Sequence, residues 1–313
     1  MKKWIAKALV QKAISYLPFR ERVNYLFQKY VTKGVDLTDE HFGYKIQHAK
    51  DHIQYLLRYG DKKQDNLIVE LGTGWYPVVP ICIFLQGVGR VISIDIRDWT
   101  TKAQQLVAIN KFLEWADRGM LAEYLPNPIP ERWEILKHIS AHPDQYSKSE
   151  INELIGLTTL VADARHIEAI DNQSIDFICS NNTFEHIYPE ILRGILRDFA
   201  RIIKPGGVMS HFIDLSDHFA HFDHSITIYN FLRFSDRSWE LIDNVIQPQN
   251  RLRFKAYKLM YQELGIPITA EDVRPGSLDL LAQVPVHPAL QEAYTREELA
   301  ISHGYLVSKF PVS

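Results

Sequence analysis

Only two cysteines, Cys82 and Cys179, occur in 313 residues. Both sit in apolar runs, so a disulfide framework is excluded and a reducing compartment is expected. No apolar run approaches the ~20 residues that a membrane span needs. Lys7 and Lys12 interrupt the apolar stretch near the N-terminus, which argues against a secretory signal. The expected location is the cytoplasm. Strong net charge is missing too. The total is −3, too small for general attraction to polyanions. Residues 1–34 depart from this balance, with eight basic side chains (among them Lys2, Lys3, Lys7 and Lys12) against Glu21 alone. That segment carries +7, which leaves −10 for the remainder.

What is present is ordinary globular material, 46% hydrophobic and 23% charged. Residues 3–17 place Trp4, Ile5, Ala8, Leu9, Ile14 and Leu17 near one helical face. This is expected to be a helix capping the core, or a basic helix resting on an anionic membrane. Residues 38–59 predict a second helix. Short apolar runs then predict strands at 66–72, 90–96, 158–163, 174–181 and 208–214, with helices between them and a turn at Lys204-Pro205-Gly206-Gly207. Residues 266–274 and 304–310 are late strand candidates, the last antiparallel at the sheet edge. Strands alternating with helices mean an α/β fold, a doubly wound and mostly parallel sheet. The expected organisation is a helical cap at 1–65 and one domain at 66–313. Two long connections, 99–157 and 215–262, are expected as helical insertions over the carboxyl ends of the strands, where ligands bind in open sheets.

Gly72-Thr73-Gly74 follows the first strand directly. Glycine there lets the backbone turn sharply and approach a ligand. Glu70 precedes the loop, Asp95 ends the second strand and Asp163 the third. An acid at the second strand end can accept hydrogen bonds from ribose hydroxyls. A dinucleotide site would want Gly-x-Gly-x-x-Gly. Here Pro77 stands where the third glycine would be.

Five segments, Val69–Gly74, Ser93–Ile96, Val161–Ala164, Asp176–Ile187 and Ile202–Gly207, resemble in order and spacing the class I S-adenosylmethionine-dependent methyltransferases. Tyr76 replaces the last glycine of that family's usual loop. The resemblance implies a Rossmann-like sheet of seven strands, the last antiparallel, and S-adenosylmethionine as cofactor. It implies Glu70, Gly72, Thr73 and Gly74 around methionine and ribose, Asp95 on the ribose hydroxyls and Ile96 against adenine. Asp163 and Ala164 would face the adenine edge, and Ser180, Asn181 and Asn182 the methionine end. The chain also looks like uncharacterised members found with surface-polysaccharide genes.

Methyl transfer needs alignment, and a hydroxyl acceptor must also lose its proton, which suits histidine. His186, after the fourth strand, is a candidate base or an orienting residue; the resemblance also allows metal binding at Glu185-His186, since some relatives that methylate catechol-like hydroxyls use an acidic-His segment there. Residues 211–224 hold four histidines and three aspartates. Asp214 and His218 are the further catalytic candidates there. A polar acceptor pocket, a structural cluster and a metal site were all compatible with this run, whose spacing matches no standard metal signature; no metal is assigned. Tyr229 to Trp239 with Asn250 to Arg253 mixes aromatics with arginines, as a surface for a sugar and a phosphate would. The expected activity is methyl transfer to a small-molecule or saccharide hydroxyl or amine. A nucleic-acid methyltransferase is opposed by the acidic body of the chain, and no nucleic-acid partner is expected. A non-catalytic binding module is opposed by the intact acids at 70, 95 and 163.

Overall fold

The computed structural model describes residues 2–20, 23, 36–60 and 65–312. Its sheet has the order β3-β2-β1-β4-β5-β7-β6. The strands are β1 (Asn66–Leu71), β2 (Gly89–Asp95), β3 (Leu157–Val161), β4 (Ile175–Asn181), β5 (Ile203–Asp214), β6 (Ala270–Arg274) and β7 (His303–Lys309). The first five pair in parallel, and β7 runs antiparallel to both β5 and β6. This is the seven-stranded, mostly parallel sheet expected. The turn at Lys204–Gly207 falls inside β5 rather than before it. Ile203 already pairs with Ile175, and an irregularity in register between Ile175 and Phe177 absorbs the turn.

The helices are α1 (Lys3–Ser15), α2 (Asp39–Tyr59), α3 (Val78–Leu85), α4 (Lys102–Asp117), α5 (Pro130–Ala141), α6 (Lys148–Leu154), α7 (Pro189–Ile202), α8 (Asp236–Ile242), α9 (Phe254–Glu263), α10 (Leu278–Ala282), α11 (Pro288–Ala293) and α12 (Arg296–Ala300). One face of the sheet is covered by α2 to α6, through Phe42, Ile46, Ile81, Phe112, Leu136 and Ile151. The other is covered by α7 and α9. Leu192, Ile195, Leu196, Phe199 and Ile202 fall at helical spacing, so α7 has one apolar stripe and buries it. Burial on both faces explains why β1 and β4 read as nearly unbroken apolar runs, whereas β3 at the sheet edge is largely exposed.

The two long connections do not both roof the strand ends. Helices α4 to α6 of the 99–157 segment bury Ile109, Phe112, Leu136, Ile139 and Ile151 in the core flanking the sheet. Their apolar faces match that core better than a polar site. Within 215–262, α9 is the sheet-packing crossover helix. The stretch before it forms a satellite core with α1, built on Trp4, Ala8, Phe219, Phe231 and Trp239. The inward face of α1 therefore caps the protein's own body. Trp4 donates its backbone N–H to Asp223 Oδ2 at 3.0 Å, in a buried bond. Residues 21–22 and 24–35 of the basic N-terminal segment lie outside the described residues. Cys82 and Cys179 are free and buried. Among the described residues, no helix is long and apolar enough to cross a membrane.

Candidate active site

The strand order reverses at β1, and β4 lies on its other side. In open α/β sheets the crevice at such a point, beyond the strands' carboxyl ends, receives ligands. A cavity of about 490 Å³ opens there, within the usual size range of small-molecule sites. Gly72, Asp95, Ile96, Asp163, Ala164, Asn182 and His186 line it, all sequence candidates. Gly72 and Gly74 hold φ of +77° and +70°, the left-handed region that glycine tolerates.

Each strand end contributes differently. Asp95 lies on the wall, accepts from Trp99 Nε1–H at 3.0 Å, and has its pKa raised by burial. Asp163 comes two residues beyond β3 and is half exposed. The Arg165 guanidinium beside it lowers its pKa. Ile96 stands at the lip, 71% exposed. Glu70, Thr73 and Gly74 form the ground under the wall. Glu70 is buried, accepts from the Thr73 hydroxyl and has its pKa raised to about 7, mainly by desolvation. Thr73 accepts in turn from the Ser93 hydroxyl at 2.7 Å.

Ser180 and Asn181, expected at the methionine end, are turned away from the cavity. Neighbouring residues of a strand point to opposite faces. Ser180 is hydrogen-bonded to buried His211 at 2.7 Å on one face. Asn181 Oδ1 accepts from His52 Nε2 of α2 at 2.9 Å on the other. Only the next residue, Asn182, reaches the wall.

Sequence reasoning missed several wall residues. Trp99 packs at 4.9 Å against Trp75, so the tail of the glycine loop supports the wall. Thr183, Tyr188 and Ile191 come from the β4–α7 connection. Val245, Ile246, Gln247 and Pro248 arrive from the distant satellite region with no periodic signal. Lys45 of α2 was also missed. Burial lowers its pKa, and the Glu70 carboxylate opposes that.

His186 joins the cavity to a polar cluster. Its Nδ1 lies 2.7 Å from the Pro248 carbonyl, which can only accept, so Nδ1 carries the proton and Nε2 keeps its lone pair. Burial lowers its pKa to about 4, so the ring is neutral at pH 7. Its ring centroid is 4.8 Å from that of His218. His218 Nε2 is 3.3 Å from Asp214 Oδ2 at the end of β5. His221 Nε2 is 3.8 Å from the same oxygen, and His303 Nε2 3.4 Å from Oδ1. The pKa of Asp214 lies well below the carboxylate range, against the pull of burial, because of these imidazoles. Glu185 is buried beside them, and both its oxygens lack a hydrogen-bond partner.

In the rest of the run, His211, Asp217 and Asp223 have structural partners. His211 stacks at 4.4 Å on Phe184 under the sheet. Asp217 accepts from the Phe219 amide and from Asn230. The aromatic–arginine surface is also internal. Tyr229, Phe231 and Trp239 are buried, Arg251 donates to the Phe231 and Phe234 carbonyls, and fully buried Arg253 donates to Leu215 O and Leu299 O. A guanidinium spent on backbone carbonyls does not clamp a ligand.

Residues 134–210 match a family model described as a methyltransferase domain. That match covers about a quarter of the chain and identifies a methyltransferase domain there, in the part that holds β3, β4, α7 and the start of β5. A comparison with curated proteins finds no match. Among solved structures the chain is similar to geranyl diphosphate C-methyltransferase from Streptomyces coelicolor, crystallised with Mg²⁺, geranyl diphosphate and S-adenosyl-L-homocysteine. Identity is 11%, coverage 84% of this chain and 78% of that one, and TM-score 0.45. It is also similar to phosphoethanolamine N-methyltransferase 2 from Haemonchus contortus, crystallised with S-adenosyl-L-methionine. Identity is 13%, coverage 91% and 59%, and TM-score 0.45. Likeness at this level says nothing of acceptor or residue roles.

Proposed function

We propose that this chain transfers the methyl group of S-adenosylmethionine to a hydroxyl or amine of a small-molecule or saccharide acceptor. S-adenosylmethionine is the cofactor and occupies the cavity between β1 and β4. The acceptor lies against the cluster at the ends of β4, β5 and β7. One observation carries this reading: His186 stands on the cavity wall and, ring to ring, 4.8 Å from His218, the partner of Asp214. A polar cluster that can take up a proton thus adjoins the cavity.

Sulfonium chemistry asks little else of the protein. The methyl carbon passes from sulfur to the acceptor atom in line, and a neutral thioether leaves. Holding the two in register supplies most of the acceleration. A hydroxyl acceptor loses its proton to the histidine cluster, with Asp214 placed to hold the imidazolium that forms. Asp95 suits the ribose hydroxyls, and the apolar wall of Ile94, Ile187 and Ile195 suits an adenine ring.

Within this class, a saccharide acceptor from surface-polysaccharide synthesis has lost the support of Tyr229 and Trp239, which are buried. A peripheral membrane contact through residues 1–34 is supported by Leu9, Leu17 and Phe19, exposed on α1 and just after it. Calorimetric titration with S-adenosylhomocysteine, NAD and NADP tests the cofactor reading. Heat with the first alone is expected; no heat with it, or tight binding of either dinucleotide, overturns it.

A further inference from the structure

The Asp214 cluster is built unlike a set of ordinary ion pairs. Its two oxygens are divided between different tasks. Oδ1 accepts from the Ser216 amide at 2.8 Å and has His303 Nε2 beside it. Oδ2 faces His218 Nε2 at 3.3 Å and His221 Nε2 at 3.8 Å. Charge-assisted N–H···O bonds are ~2.7–2.9 Å long. Both contacts are longer, and His218 Nε2 makes no hydrogen bond at all. Donors ~2.0–2.1 Å from one tetrahedral ion lie ~3.3 Å apart. The donor atoms of Asp214, His218 and His221 all fall within 4.8 Å of one another.

A second observation points to the same place. Glu185 is 2% exposed, and neither carboxylate oxygen has a hydrogen-bond partner. Burying a bare carboxylate is costly unless a cation or a proton joins it. Its donor atom lies within 4.8 Å of those of His186 and His218. The two donor triads therefore share His218. His186 Nδ1 donates to a backbone carbonyl, the contact that commonly fixes the tautomer of a metal-binding imidazole.

We infer that this cluster binds one divalent transition-metal ion through Asp214, His218 and His221. Imidazole and carboxylate together suit Zn²⁺, Mn²⁺ or Fe²⁺ better than Mg²⁺ or Ca²⁺, which take oxygen donors. An ion there would lower the pKa of a hydroxyl that it binds, so with metal bound the acceptor's proton would leave to solvent, and the free imidazoles would take it only in the metal-free state. The metal site stands on its own geometry and not on the cofactor reading.

The test is Zn²⁺ and Mn²⁺ titration of the metal-stripped full chain by calorimetry, with S-adenosylhomocysteine titrated in parallel. One equivalent of Zn²⁺ is expected. His218→Ala should abolish binding, because both triads lose a donor. His221→Ala, at a side chain 59% exposed, should weaken it at least tenfold and decides the matter should His218→Ala not fold. The surface pair His138 and His142, whose rings lie 4.7 Å apart, is the control. The double variant H138A/H142A should bind as wild type. No saturable binding by wild type, wild-type binding by both cluster variants, or loss of binding in the control overturns the site. S-adenosylhomocysteine binding without Zn²⁺ binding sinks the metal site alone, and the converse sinks the cofactor reading alone.

Discussion

A methyl group added to Gly72 would come within 2.6 Å of Thr183 Oγ1. The loop after β1 and the loop after β4 are thus pressed together at the mouth of the cavity. Thr183 donates its hydroxyl to the Asn181 carbonyl at 2.9 Å and cannot simply swing aside. Gly119 is a natural control, since it has a similar φ of +71° but open space around it. Placing an L side chain in this backbone region costs roughly 1–2 kcal/mol. Gly119→Ala should lose about that much in urea denaturation and keep its affinity for S-adenosylhomocysteine. Gly72→Ala should lose more stability than Gly119→Ala and should bind the ligand less well. Equal losses in both variants would show that the loop contact is unimportant.

Asp95 stands on the cavity wall, where its carboxylate accepts from Trp99 Nε1–H at 3.0 Å and from the backbone N–H groups of Arg97, Ile96 and Gly74. Losing hydrogen bonds from a charged acceptor costs ~1.5–3 kcal/mol. Asp95→Ala should therefore weaken S-adenosylhomocysteine binding by about that amount, read by calorimetry. Unchanged affinity would remove the ribose role.

Glu70 makes stability depend on pH. Burial raises its folded pKa from the ordinary 4.5 to about 7, so the native state holds its proton longer than the unfolded chain does. Its neutral form is at home below pH 4.5. Between about 4.5 and 7 stability falls as pH rises, because ionising the native carboxyl costs more than ionising the unfolded one. At ~1.36 kcal/mol per unit the whole effect is on the order of 3 kcal/mol. Glu70→Gln keeps a group that can accept from Thr73 and removes the titration. Urea denaturation at pH 5 and pH 8 should show wild type losing stability where the variant does not. A variant less stable than wild type at pH 8 would mean that Glu70 is ionised and paired, with Lys45 the cation that interacts with it.

β1, β2 and β4 were legible because they are mostly buried and read as apolar runs ending at Leu71, Asp95 and Asn181. The cofactor side was legible for the same reason: strand ends fix where the backbone stops and a side chain emerges. Alternation along a strand is what sequence position alone handled poorly. Ser180, Asn181 and Asn182 are neighbours, yet only Asn182 faces the cavity. The wall formed by Val245 to Pro248 had no signal because tertiary packing places it, not local periodicity. Arg251 and Arg253 misled for a related reason. Their charge suggests a surface, but backbone carbonyls satisfy them inside the satellite core.

The two histidines beside the cavity should differ in function. Burial lowers the pKa of His186 to about 4, well below a working pH near 7, where a general base is most effective. His186 is better suited to hold the loop through Pro248 and to shape the wall. His218 has the Asp214 carboxylate at 3.3 Å, ready to balance positive charge as a proton or a cation arrives. His218→Ala should therefore lower kcat ~10²-fold or more, the usual scale for losing a group that handles the proton. Its affinity for S-adenosylhomocysteine should stay near wild type, because His218 does not line the cavity. His186→Ala should do the opposite, with weaker ligand binding and a smaller loss of kcat. Turnover is read by transfer of labelled methyl to an acceptor recovered from cell extract. If His218→Ala turns over at the full rate, the cluster takes no part in the chemistry. If His186→Ala loses more kcat than His218→Ala, the proton passes through the cavity wall and the order of the two histidines is reversed.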